Sequence, residues 1–133
     1  KVLAKAEDYV QHYARGLGAT RRDWANKNED LLVRFTRAMI RATDWVTESN
    51  HKDEVIAMLM PENRNNKPRA EAMYEESISP RFGFSPRSQI DMDGIQSVLQ
   101  LREIAGLMKP PLPKPEKYVD ERFYKKALAS LDR

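Results

Sequence analysis

Three neighbouring side chains near the start of the sequence have the chemistry to recognise a ligand. His12, Tyr13 and Arg15 combine two rings with a guanidinium group. The rings could stack on a planar solute, and the planar fork of arginine donors suits an anion. The competing interpretation makes Tyr13 a core residue and leaves His12 and Arg15 as ordinary surface groups.

The sequence predicts no metal site and no catalytic residues. The two histidines, His12 and His51, lie far apart and have no ligand spacing between them. Asp91, Asp93 and Gly94 weakly resemble a calcium loop, but the later ligand positions and the closing glutamate are missing, so helix capping explains them better. The absence of cysteine excludes disulfides, thiolate metal sites and a cysteine nucleophile. We therefore predict that the chain is not an enzyme and uses no cofactor.

The amino-acid composition is typical of a globular domain. The 133 residues suffice for one core, and 41% hydrophobic with 32% charged residues is normal for a soluble domain. The net charge of +3 comes from basic and acidic residues that alternate along the chain, so we predict no nucleic-acid partner. No apolar run is long enough to cross a bilayer. Residues 1–9 do not resemble a signal peptide, which favours a mature or truncated product.

The hydrophobic pattern predicts a mostly α-helical chain with one short strand. The strand covers residues 9–22, where Gly16 and Gly18 disfavour a helix. Helices are predicted over 29–46, 51–60 and 68–77, from Asp91 or Asp93 to Gly106, and over 120–131. A proline-rich segment, residues 109–116, connects the last two. The strongest helix, 29–46, is expected to begin at an Asn28 N-cap and to bury a stripe: Leu31, Phe35, Ala38, Met39, Ala42, Trp45 and Val46.

A lone strand cannot satisfy its own backbone hydrogen-bonding groups. It must pair either with a copy of itself in a dimer or with a sheet formed by sequence outside this chain. We favour the second arrangement.

Five segments in this order resemble the C-terminal portion of periplasmic substrate-binding proteins of the nitrate, sulfonate, taurine and thiamine-precursor class. They are DYV at 8–10 followed by ATRRDWANKN at 19–28, then LVRFTRA at 32–38 with IRATDW at 40–45, IDMDGIQSVL at 90–99, and KYVD at 117–120 before Phe123 and Tyr124. Family members are more than twice this length and have the type II periplasmic binding fold, in which two α/β lobes close on a small solute.

The resemblance implies a place for each part of the chain. Residues 1–14 would form a hinge crossing and the end of the second lobe. Residues 15–133 would complete the first lobe, with the proline-rich strap 109–116 and the terminal helix 120–131 on its outside. His12, Tyr13 and Arg15 would then lie near the hinge, beside the solute.

The function implied is the solute-binding component of an ABC importer. Its partners would be a small organic or anionic solute and a membrane permease, its location would be the bacterial periplasm, and lipid anchoring through preceding residues stays open. An enzyme related to the pyrimidine synthases of thiamine biosynthesis, which share the fold, lacks support because those resemble a cysteine-rich design. The alternative function is a helical interaction module that dimerises through its lone strand.

Overall fold

A computed structural model describes residues 3, 8–14, 16–62, 66–80 and 83–131 of the chain. Six α-helices lie in this part: α1 (Arg22–Lys27), α2 (Glu29–Thr47), α3 (Lys52–Glu62), α4 (Lys67–Ser77), α5 (Met92–Ile104) and α6 (Arg122–Ala129). None of these helices has the length and apolar character that crossing a membrane requires. The chain divides into two compact units, Lys1–Ala38 with Ile90–Arg133 (unit 1) and Met39–Gln89 (unit 2).

The strand predicted over residues 9–22 is absent from the residues that the structure describes. Residues 8–14 and 16–21 form a turn and irregular backbone, and α1 begins at Arg22. The physical reason is that a strand needs a partner, and none of the described residues forms one. Arg15 lies outside the described residues.

Helix α2 confirms the predicted position of the strongest helix but not its predicted buried side. Asn28 precedes it, and its side-chain amide donates to the Trp24 carbonyl at the end of α1, 2.9 Å away, so it caps α1 instead of serving as the expected N-cap of α2. The buried residues are Ile40 and Thr43. Of the predicted stripe, Trp45 and Val46 are half-buried and the other five residues are exposed. Local periodicity therefore located the helix, whereas the face that is covered depends on packing.

Unit 2 has a small core between α3 and α4. Val55, Ile56, Ala70 and Tyr74 are buried together, with half-buried neighbours Trp45, Val46, Leu59, Met60 and Ile78. At the edge of this core, the Lys52 ammonium group lies 2.6 Å from a Glu75 carboxylate oxygen. That hydrogen bond raises the pKa of Lys52.

In unit 1, local capping signals set the ends of α5. Asp91 is the N-cap, and its Oδ1 accepts a hydrogen bond from the Gly94 backbone N–H at 2.9 Å. Gly106 has a φ of 71° just past the end of the helix, which confirms it as the terminator. The turn at Pro115–Lys117, at the end of the proline-rich segment, packs against α5.

Side chains of α6 connect it to α1 and α2 within unit 1. Arg122 donates to the Asn26 side chain at 3.1 Å, and Lys126 pairs with Glu29. Phe123 and Ala127 are buried, and their spacing of four residues places them on one side of α6. The order of helices is therefore predictable from sequence, and the division 1–14 and 15–133 between two lobes stays a prediction.

We expect Ile56→Val to lower the free energy of unfolding by about 0.5–1.5 kcal/mol, because it removes a buried methylene from the α3–α4 core. Ile104→Val is the matched control, since Ile104 is 81% exposed on α5. Urea unfolding followed by circular dichroism measures both. Equal effects of the two substitutions would contradict the core described here.

The Asp120 carboxylate predicts a pH dependence of stability. Two hydrogen bonds from the Arg122 guanidinium lower the pKa of Asp120 from 3.8 to about 2. A depressed pKa stabilises the folded state above the unfolded pKa, and this stabilisation is lost as pH falls from about 4 through about 2. We expect Asp120→Asn to cost at most about 1 kcal/mol at pH 6, since Arg122 is exposed and Asp120 is only half-buried.

The difference between Asp120→Asn and the unsubstituted chain should shrink as pH falls below about 4 and be mostly lost at about pH 2, where the folded-state carboxyl is half protonated, in thermal melts recorded across this range. A difference that is the same at pH 6 and pH 2 would show that the ion pair with Arg122 is not its cause.

Candidate metal centre

Two of the three predicted ligand-binding residues, His12 and Tyr13, lie in the irregular segment that precedes α1, whereas Arg15 is outside the described residues. His12 and Tyr13 are both exposed, so the interpretation of Tyr13 as a core residue is wrong for the described chain. A shallow hollow of about 360 Å³ lies elsewhere in the described chain, at the start of α2, and it is lined by residues 26–31 and Arg34. His12 and Tyr13 do not line that hollow.

His12 instead lies close to two carboxylates at the start of α5. Its Nδ1 lies 3.6 Å from Asp91 Oδ2. One ligand atom each from His12, Asp91 and Asp93 lies within 4.8 Å of the other two. This is the only group of three or more such residues among those the structure describes.

The N-cap of α5 fixes the Asp91 carboxylate. Its Oδ1 accepts the Gly94 N–H, which leaves Oδ2 on the side of His12. Asp93 follows in the first turn of the same helix, so both carboxylates come from one short, rigid segment.

Gly94 allows the segment that carries His12 to approach α5. Gly94 is buried, and a Cβ built on it would lie 2.5 Å from the Ala14 backbone nitrogen. Real Cβ atoms do not come this close to backbone, so another residue would force the two segments apart. The lack of a side chain at Gly94 therefore allows His12 to lie beside the two aspartates.

The distance between His12 and Asp91 is close to that between two ligands of one ion. A gap of 3.6 Å between Nδ1 and Oδ2 is longer than a hydrogen bond of ordinary length. Two ligand atoms that each lie 2.1 Å from a tetrahedral ion are about 3.4 Å apart. Side chains of His12 and Asp91 are 56% and 35% exposed, so water could complete the coordination.

The other histidine belongs to unit 2 and is half-buried. His51 lies in a short turn before α3, and its ring stacks on Trp45 with centroids 4.5 Å apart. Glu48 lies 3.3 Å from Nε2, whereas Glu54 lies 4.0 Å from Nδ1. Because these carboxylates face opposite ring nitrogens, they cannot share one ion with the imidazole.

Sequence reasoning identified the members of the cluster separately but did not join them. His12 was assigned to a ligand site and Asp91 to a cap, and no spacing rule connects them because the fold alone brings them together. The usable signal was Gly94 directly after an Asp-Met-Asp run, since glycine in a helix often marks a close backbone approach.

No protein-family model, curated protein or solved structure matches this chain.

Proposed function

We propose that this chain is the C-terminal part of the periplasmic solute-binding component of an ABC importer. The observation that carries the proposal is an apolar face of α2 that no described part of the chain covers. The order of the segments, the proline-rich strap and the terminal helix with Phe123 and Tyr124 are what the resemblance implies.

The uncovered face, which we call the α2 face, consists of Leu31, Phe35 and Ala38. These residues have the spacing i, i+4 and i+7, which places them on one side of a helix. Leu31 is 48% exposed and Phe35 is 58% exposed. Burying one large apolar side chain stabilises a folded protein by about 1.5–3 kcal/mol. A partner that covered this face would therefore stabilise it substantially.

In an α/β lobe, helices place their apolar side on the sheet. The proposed cover of the α2 face is therefore the sheet of the first lobe, formed by the remainder of the same polypeptide. The same sheet would supply a partner for residues 9–14, which the sequence predicts as a strand and which have no strand partner among the described residues.

The mechanism proposed is passive capture. A small organic or anionic solute binds between two lobes, and closure is favoured because the solute contacts both of them. The loaded protein then delivers the solute to its permease. His12, Tyr13 and Arg15 remain the proposed contribution of this chain to the solute site, and no catalytic step is required.

The alternative is a helical interaction module in which a second copy covers the α2 face. This version replaces the dimer through a lone strand, because the described residues contain no strand. It requires the 133-residue chain to be a stable dimer, with the α2 face at its interface.

The intact mass of the natural protein separates the two functions. We expect a polypeptide well above 15.4 kDa that contains this sequence, detected in periplasmic extract by mass spectrometry of peptides from α2 and α6. A natural product of 15.4 kDa that sediments as a dimer would contradict the proposal and support the interaction module.

The longer protein should also bind a solute that the 133-residue chain does not. Nitrate, taurine, other sulfonates and pyrimidine precursors of thiamine are the probes, and thermal shift with each solute is the measurement. We expect a saturable shift with one of them in the longer protein and none in the short chain, which holds only part of the cleft. An equal shift in both would contradict the two-lobed mechanism.

A further inference from the structure

We propose that His12, Asp91 and Asp93 bind one divalent transition-metal ion, with Zn²⁺ as the best-suited cation. The proposal does not depend on solute transport, because all three ligands belong to unit 1 of this chain. It concerns a site that the sequence alone did not predict.

The ligand types select the class of metal. An imidazole nitrogen with two carboxylate oxygens suits Zn²⁺ and its first-row neighbours, whereas Ca²⁺ and Mg²⁺ prefer sites made of oxygen alone. Two carboxylates also balance the charge of a divalent ion. Three protein ligands leave at least one position for water, as in open zinc sites.

The three ligands already lie close together in the structure, before any ion binds. The cap hydrogen bond holds Asp91 by one oxygen and leaves the other beside His12. Gly94 brings the backbone near Ala14 close to the first turn of α5. The ion has only to bring together atoms that already lie within 4.8 Å of one another.

The consequence of binding is a link between two distant parts of the sequence. Residues 9–14 have no helix or strand, and His12 would link them to the first turn of α5. Zn²⁺ is therefore expected to slow backbone amide exchange in residues 8–14 and to leave exchange in the α3–α4 core unchanged.

Isothermal titration of the 133-residue chain with ZnCl₂ tests the site. We expect one ion per chain and a loss of affinity of at least about tenfold in both His12→Gln and Asp93→Asn, because each removes a ligand. Asp91 is left in place, since its substitution would also remove the helix cap. His51→Gln and Asp53→Asn are the matched controls: one removes the other imidazole, and the other removes a carboxylate from the same position in the first turn of α3.

Imidazole ¹⁵N spectra provide an independent measurement, because the chain has only two histidines. Zn²⁺ should shift the resonances of His12 and leave those of His51 in place, and CaCl₂ should bind at least about tenfold more weakly than ZnCl₂. The absence of saturable binding below about 1 mM Zn²⁺ overturns the proposal. So does a loss of Zn²⁺ affinity smaller than about tenfold in either ligand variant, or an equal loss of affinity in a control variant. Tighter binding of Ca²⁺ than of Zn²⁺ also overturns it. None of these results depends on solute binding by a longer protein.

Discussion

The organisation of this chain depends on helix α2, which has more apolar surface than its described neighbours cover. Ile40 is fully buried in unit 2. Earlier in the same helix, Leu31 and Phe35 face water on the α2 face. A contiguous apolar face of this kind marks an interaction surface. The proposed function would satisfy this constraint, because it supplies a cover from the same polypeptide.

A second constraint is the close backbone approach at Gly94. It lets an irregular segment reach the start of α5 without a strand partner, and so it places His12 beside Asp91. The same glycine thus serves the packing of unit 1 and the proposed metal centre. If the parent protein has the proposed two lobes, the ion would lie near the residues assigned to the hinge crossing.

The sequence predicted features that depend on neighbours along the chain. The position of α2, the Asp91 cap, the Gly106 terminator and the buried side of α6 were all predictable, because propensity, capping and periodicity act within a few residues. It did not predict features that depend on distant partners. The side of α2 that is buried is one example, because Leu31 and Phe35 fit a core pattern but meet no cover within the described chain.

The sequence did not predict the metal cluster either, because the cluster also depends on residues that are distant in the sequence. No spacing rule relates His12 to Asp91 and Asp93, which belong to separate segments that only folding unites. The strand predicted over residues 9–22 is another example, because the described part of this segment is a turn and irregular backbone and no partner strand is present among the described residues.

The central claim is that the α2 face is interior in the whole protein, and the substitution Phe35→Ala tests it most directly. Its effect on the free energy of unfolding is measured in the 133-residue chain and in the longer natural polypeptide. We predict a cost of less than about 0.5 kcal/mol in the short chain, where Phe35 is exposed, and about 3–5 kcal/mol in the longer one, where it would be buried. An equally small cost in both would mean that the rest of the polypeptide does not cover α2.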